Sequence, residues 1–191
     1  GPLGTGNFDW YSAPTAGTLL QARPYGPVVP YYFNDFTSSV LTNSSVSPNA
    51  SVTGGVLLLH PNVVAQYGAF TVNASGFNSD KYLIDFDYST TGTLATMGEG
   101  FSYSFGNDVV STVEASMSAE SGTGTKLKVC FVAASSATCP AGIYLIYNNS
   151  TSSEPTPAQT IGGTSYSTNT SFKNNSGHVT ISIDSAGRVS L

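Results

Sequence analysis

Charge is scarce in this chain. Charged residues make up 9% of its 191 positions, where an ordinary globular chain has about a quarter. Six Lys and Arg stand against eleven Asp and Glu, for a net charge of −5. Nucleic-acid binding needs clustered cations, so that class is excluded, as is a polybasic footprint on a membrane surface. No apolar run is long enough to cross a bilayer, so direct membrane insertion is not expected. Helical periodicity is nearly missing. Only Val109, Val110, Val113 and Met117 recur at helical spacing, and without a cap or adequate length that stretch reads as loop or a single turn. There is no Ser-His-Asp set, phosphate-binding loop or nucleotide fingerprint. The two cysteines, Cys130 and Cys139, lie nine apart, which rules out a Cys-x-x-Cys metal or redox pair.

Apolar residues reach 40%, with 11 Tyr and 10 Phe, which suits one domain with a sizeable core. Surface polarity must then come from Ser, Thr, Asn and Gly, as on many secreted and cell-surface β proteins. The central stretch is Lys81 to Asn107. Leu83, Asp85 and Asp87 alternate with Ile84, Phe86 and Tyr88; Phe101, Tyr103 and Phe105 alternate with Ser102 and Ser104. Period two marks a half-buried strand, because successive side chains leave opposite faces of a pleated backbone. The connection between the runs is too long for a tight hairpin and ends on Gly98-Glu99-Gly100.

Residues 1–4, Gly-Pro-Leu-Gly, read as a scar left by a fusion-tag protease and are set aside. Residues 5–30 carry Pro14, Pro24, Pro27 and Pro30 and read as an extended Pro/Gly-rich arm. Trp10, Tyr11 and Tyr25 are expected to clamp that arm on the domain. Residues 31–191 form the domain proper, with strands predicted at 31–37, 55–60, 67–73, 81–88, 100–106, 126–132, 142–147, 163–167, 177–183 and 187–191. Gly, Asn, Ser and Pro clusters separate them. Short, regularly punctuated strands predict an all-β antiparallel sandwich or jelly roll with negligible helix.

The run GEGFSYSFG resembles the acidic residue followed by an aromatic strand of the concanavalin A-like lectin/glucanase superfamily, in its laminin G-like and L-type-lectin-like branches. Phe33-Asn34-Asp35-Phe36, Gly54 to Leu59, Gly68-Ala69-Phe70, Gly122-Thr123-Gly124 before Leu127 to Phe131, and Gly177 to Asp184 before Gly187-Arg188-Val189 resemble its other strands in order. The likeness covers Tyr31 to the end. It implies a concanavalin A-like jelly roll and, by family pattern, further strands beyond Arg188 to Leu191. Gly177 to Leu191 is accordingly expected to pair with a strand from another chain.

The resemblance places Glu99 where L-type lectins accept hydrogen bonds from a sugar, often after a non-proline cis peptide; Asn107 and Asp108 could supply further oxygens. Calcium is not expected, and no metal or other cofactor is assigned. The family's ligands after the strand matching Leu127–Phe131 have no counterpart in Val132-Ala133-Ala134-Ser135-Ser136. Asp85 and Asp87 face one side of a strand, but the family's glucanases use Glu-x-Asp-x-x-Glu, and Ile84 to Ser89 lacks both glutamates. The two aspartates read as a solvated face, so no catalytic residue is assigned. His60 and His178 read as structural.

Cys130 and Cys139 read either as a disulfide closing a small loop, worth about 2–3 kcal/mol on a loop-entropy basis, or as two buried thiols; the disulfide is the expectation carried forward. Asn-x-Ser/Thr sequons at Asn43, Asn49, Asn73, Asn148, Asn149, Asn169 and Asn174 are glycosylation candidates. Together these features predict a non-catalytic extracellular module of a cell-surface or secreted protein, binding a glycan or a protein partner. The alternatives are an assembly domain that pairs through an open sheet edge and, less favoured by the residues, a carbohydrate-active enzyme.

Overall fold

Every ladder among the described residues is antiparallel, and none of those residues forms an α-helix. The structure, a computed structural model, describes residues 8–11, 19–23, 30–61, 63, 66–77, 79–92, 99–110, 119–133, 138–148, 155–161 and 175–191. The chain divides into two compact units, Gly1–Asn34 and Asp35–Leu191.

The first unit holds a strand pair within residues expected as an extended arm. β1 (Phe8–Tyr11) and β2 (Leu19–Arg23) run antiparallel from Phe8 opposite Arg23 to Tyr11 opposite Leu19, with a register shift between Trp10 and Tyr11. The strand expected over 31–37 does not form. In the second unit's part of it, Asp35 Oδ1 accepts the Thr37 N–H at 3.1 Å and the Thr37 hydroxyl at 2.8 Å. That side-chain turn competes with a ladder, and Phe36 between them has a φ of 58°.

The second unit begins with β3 (Ser44–Pro48), β4 (Ser51–Thr53), β5 (Val56–Leu58) and β6 (Gly68–Val72), which pair β3 with β6 and β4 with β5. Gly54 and Gly55 alone connect β4 to β5, with φ of 62° and 80°. A tight two-residue hairpin asks for positive φ at both central positions, which glycine adopts without steric cost. β7 (Tyr82–Ser89), β8 (Gly100–Phe105), β9 (Leu127–Val132), β10 (Gly142–Ile146), β11 (Ser176–Ile183) and β12 (Val189–Ser190) follow. They form two three-stranded sheets, ordered β10-β9-β8 and β12-β11-β7. The strand expected at 163–167, and residues 111–117 of the Val109–Met117 stretch, lie outside the described residues.

The core sits where period two puts it. Ile84, Phe86 and Tyr88 of β7 and Phe101, Tyr103 and Phe105 of β8 pack against Leu127, Val129 and Phe131 of β9, Leu145 of β10 and Ile181 of β11. One apolar cluster therefore draws side chains from both three-stranded sheets. Phe101 and Phe131 stack at 4.5 Å between ring centroids, and Tyr82 lies 4.6 Å from Phe105.

β9 departs from the half-buried pattern, since all six of its residues are buried. Its second face carries Lys128, Cys130 and Val132, and the segment Ala119 to Thr123 covers part of it. Cys130 Sγ donates to Ser121 O at 3.6 Å, and the Thr123 N–H donates to Ser104 Oγ at 3.1 Å. This cover buries two charges, Glu120 and Lys128. Burial lowers the Lys128 pKa, because desolvation disfavours the ammonium; the neighbouring Cys130 and Asp108 act in the opposite direction.

The disulfide expected between Cys130 and Cys139 is not formed. Both are buried thiols in one cluster with Val132, Tyr144 and Ile146. Cys130 lies in mid-strand, opposite Ser102 on one side and Tyr144 on the other. Burial pushes its pKa up to about 12, despite the opposing effect of Lys128.

Candidate functional site

Glu99 and the Asn107-Asp108 pair flank opposite ends of β8. A six-residue strand at about 3.3 Å per residue holds its ends roughly 17 Å apart, so the structure does not gather these three into one site. Glu99 is exposed, and its carbonyl accepts the Ala133 N–H at 2.7 Å. No peptide among the described residues is cis. Asp108 is taken up by its own loop: Oδ2 accepts the Thr125 hydroxyl at 2.6 Å and the Thr125 N–H at 2.9 Å. These bonds, the hydroxyl's first, hold the Asp108 carboxyl below its usual range. Asn107 is exposed beside it. Of the positions that would follow β9 in a calcium-binding lectin, 134–136 lie outside the described residues.

A different set comes together on the outer face of β7 and β11. Their ladder has eight pairs, running from Ser176 opposite Ser89 to Ile183 opposite Tyr82. With Ile84, Phe86, Val179 and Ile181 turned to the core, the alternate residues Asp85, Asp87, His178 and Thr180 face solvent. His178 lies directly opposite Asp87, and Thr180 opposite Asp85. The imidazole reaches across to Asp87, Nδ1 to Oδ1 at 2.8 Å, and diagonally to Asp85, Nε2 to Oδ1 at 2.6 Å. Diagonal neighbours on one sheet face are within reach of a ring of this length.

A neutral imidazole donates from one nitrogen only, so both contacts are hydrogen bonds only when the ring is an imidazolium. The hydrogen bond to Asp87 is the main cause that raises the His178 pKa above its ordinary 6.5; desolvation opposes it, and the charges of Asp85 and Asp87 add to the rise. A raised folded-state pKa means that the clamp stabilises fully below about pH 6.5 and is lost as pH rises through the raised midpoint. Asp87 is 88% exposed, so water and salt screen the interaction. An NMR titration should place the His178 midpoint above 6.5, and Asp87→Asn should bring it down. A wild-type midpoint at or below 6.5 would rule out the clamp.

Chemically, the trio is an imidazolium holding two carboxylates in place. The remaining carboxylate oxygens can accept hydrogen bonds from hydroxyl, amide or ammonium donors. Ser89, Ser176 and Thr180 add exposed side chains on the same face. Among the described residues, no three His, Cys, Asp or Glu stand where they could share a metal ion. The aspartate face is legible in the sequence, whereas His178, expected as structural, is brought to it by the β7–β11 ladder. The available signal was the place of His178 in an alternating strand, since the nearer of its partners, Asp87, lies 91 residues away in sequence.

No protein-family model and no curated protein matches this chain.

Proposed function

We propose that this chain is a non-catalytic recognition module that meets a glycan or a protein partner at the extracellular side, built on a concanavalin A-like jelly-roll sandwich. Support for the sandwich comes from the one core shared by the β10-β9-β8 and β12-β11-β7 sheets. The observation that carries the functional reading is the Asp85–His178–Asp87 set on the exposed face of the longest ladder. Fixed carboxylates beside hydroxyls form an acceptor-rich surface, which suits a ligand rich in hydroxyl or amide donors. Glycoside hydrolysis, by contrast, needs two carboxyls that flank a scissile bond. Here both carboxylates approach one imidazole from the same strand face, and both ring nitrogens are committed, which leaves neither as a general base.

A glycan array probed with the wild-type chain should show a defined set of bound sugars, and Asp87→Asn and His178→Ala should each weaken that binding by on the order of ten-fold. Binding that survives both substitutions would remove this face from the proposal. Silence across the array, together with self-association in light scattering, would favour the assembly reading. One observation favours that reading on its own terms: β7, an eight-residue strand, ends its sheet's order among the described residues, and long sheet edges invite pairing.

A further inference from the structure

Seven sequons occur in this chain, and the structure describes three of them whole, those at Asn43, Asn49 and Asn73. Asn43 and Asn73 are exposed and lie side by side: the Asn73 N–H donates to Asn43 O at 2.8 Å, just beyond the Ser44–Val72 pair that ends the β3–β6 ladder. Asn43, Asn73, Ser44, Ser45 and Thr71 line one open depression of about 360 Å³. Asn73 Oδ1 accepts the Ser75 N–H at 3.1 Å, which folds the sequon Asn73-Ala74-Ser75 into a local turn with its side chain at the surface. Asn49 is different. It is half-buried, and its Nδ2 donates to Tyr67 O at 3.0 Å. The next residue, Ala50, is 8% exposed and packed so closely on Gly68 that a Cβ added there would lie 2.7 Å from Ala50 N.

We propose that Asn43 and Asn73 are a paired N-glycosylation site and that Asn49, despite its sequon, is bare in the folded protein. The proposal rests on the extracellular reading above. In the reaction, the side-chain amide nitrogen attacks C1 of the first sugar of a lipid-diphosphate-linked oligosaccharide. A C–N bond forms, the C1–O bond to the diphosphate breaks, and the nitrogen gives up one proton. At Asn43 and Asn73 that nitrogen lies at an open surface with a depression beside it. At Asn49, just past β3, the same nitrogen donates to Tyr67 O, just before β6, in a half-buried position next to the buried Ala50. A glycan at Asn49 would have to be seated in this half-buried position, with one N–H left on the nitrogen.

The test is to express the full chain behind a secretory leader in cultured mammalian cells, recover the folded secreted protein, and mark formerly glycosylated asparagines by enzymatic release in heavy-oxygen water. Peptide mass spectrometry should find Asn43 and Asn73 marked, with occupancy at Asn49 on the order of ten-fold lower. Ser45→Ala and Ser75→Ala should each remove one glycan mass, while Ser51→Ala should leave the mass unchanged. Marking at Asn49 equal to that at Asn43, or bare asparagines at both 43 and 73, would overturn the proposal. Because the leader forces entry, these results report the site itself. A natural cytosolic location would defeat the extracellular reading and leave the site assignment standing.

Discussion

Replacing Gly100 by alanine should lower the stability of the second unit by roughly 4 kcal/mol or more, among the largest effects of any single substitution here. An added Cβ would lie 2.0 Å from the carbonyl oxygen of Phe131 and 3.0 Å from Glu120 Cβ. Neither neighbour can give way easily. The Phe131 carbonyl belongs to the backbone of β9, the strand between β8 and β10, and Glu120 is part of the buried cover over that sheet. Gly100 also has a φ of 152°, which an L side chain rarely adopts, so backbone strain of about 1–3 kcal/mol adds to the clash. Gly55→Ala is the matched control. Its φ is 80° with nothing within 4 Å, so strain acts alone and should cost about 1–2 kcal/mol. Urea unfolding at unchanged slope would measure both. Equal losses in the two variants would show that close approach to Phe131 is not what Gly100 provides.

Ile181→Ala should cost about 2–5 kcal/mol, the usual range for emptying a buried aliphatic site. Ile181 is fully buried, and it is the one residue of the β12-β11-β7 sheet among the most deeply buried members of the main core cluster. The rest of that deep set comes from β9, β10 and the residue after β9. If the two sheets share their core, the loss falls on the second unit as a whole, and unfolding should remain a single transition at a lower urea midpoint. Thr180→Ala, one residue away on the exposed face, should change stability by less than about 0.5 kcal/mol. A split transition in Ile181→Ala would mean that the sheets unfold independently, and that the sandwich reading is wrong.

The Ile181 prediction follows from period-two alternation, the signal that the chain displays most openly. Strands expected at 67–73, 81–88, 100–106, 126–132, 142–147 and 177–183 correspond to β6 through β11 within a residue or two. Alternation is a local property of an extended backbone, so it survives without knowledge of the partner strand. Where the signal fails, an identifiable competitor has won. Phe33 to Phe36 reads as strand, but the Asp35 side chain captures the Thr37 N–H. Ser44 to Pro48 carries almost no apolar signal, yet becomes β3 through a five-pair ladder with β6. Asp108, a candidate ligand oxygen in a loop Asn-Asp pair, accepts two hydrogen bonds from Thr125, a partner 17 residues away that no local pattern reveals.

By itself the sequence determined an antiparallel all-β chain, a charge-poor surface, the inward set Ile84, Phe86, Tyr88, Phe101, Tyr103 and Phe105, and the outward placement of Asp85 and Asp87. Each of these depends on residue type and on spacing along a few neighbouring positions. Only the tertiary structure decided that both faces of β9 are buried, since the segment Ala119 to Thr123 lies across the face that carries Lys128. It likewise decided that Cys130 and Cys139 are buried in one cluster, that Asn49 is tied to Tyr67 while Asn43 and Asn73 meet at an open surface, and that His178 sits between Asp85 and Asp87. Cys130 meets Ser121 across 9 positions of sequence, Asn49 meets Tyr67 across 18, and His178 meets Asp87 across 91. These contacts are set by which strands pair and what covers them, and a local pattern holds no record of either.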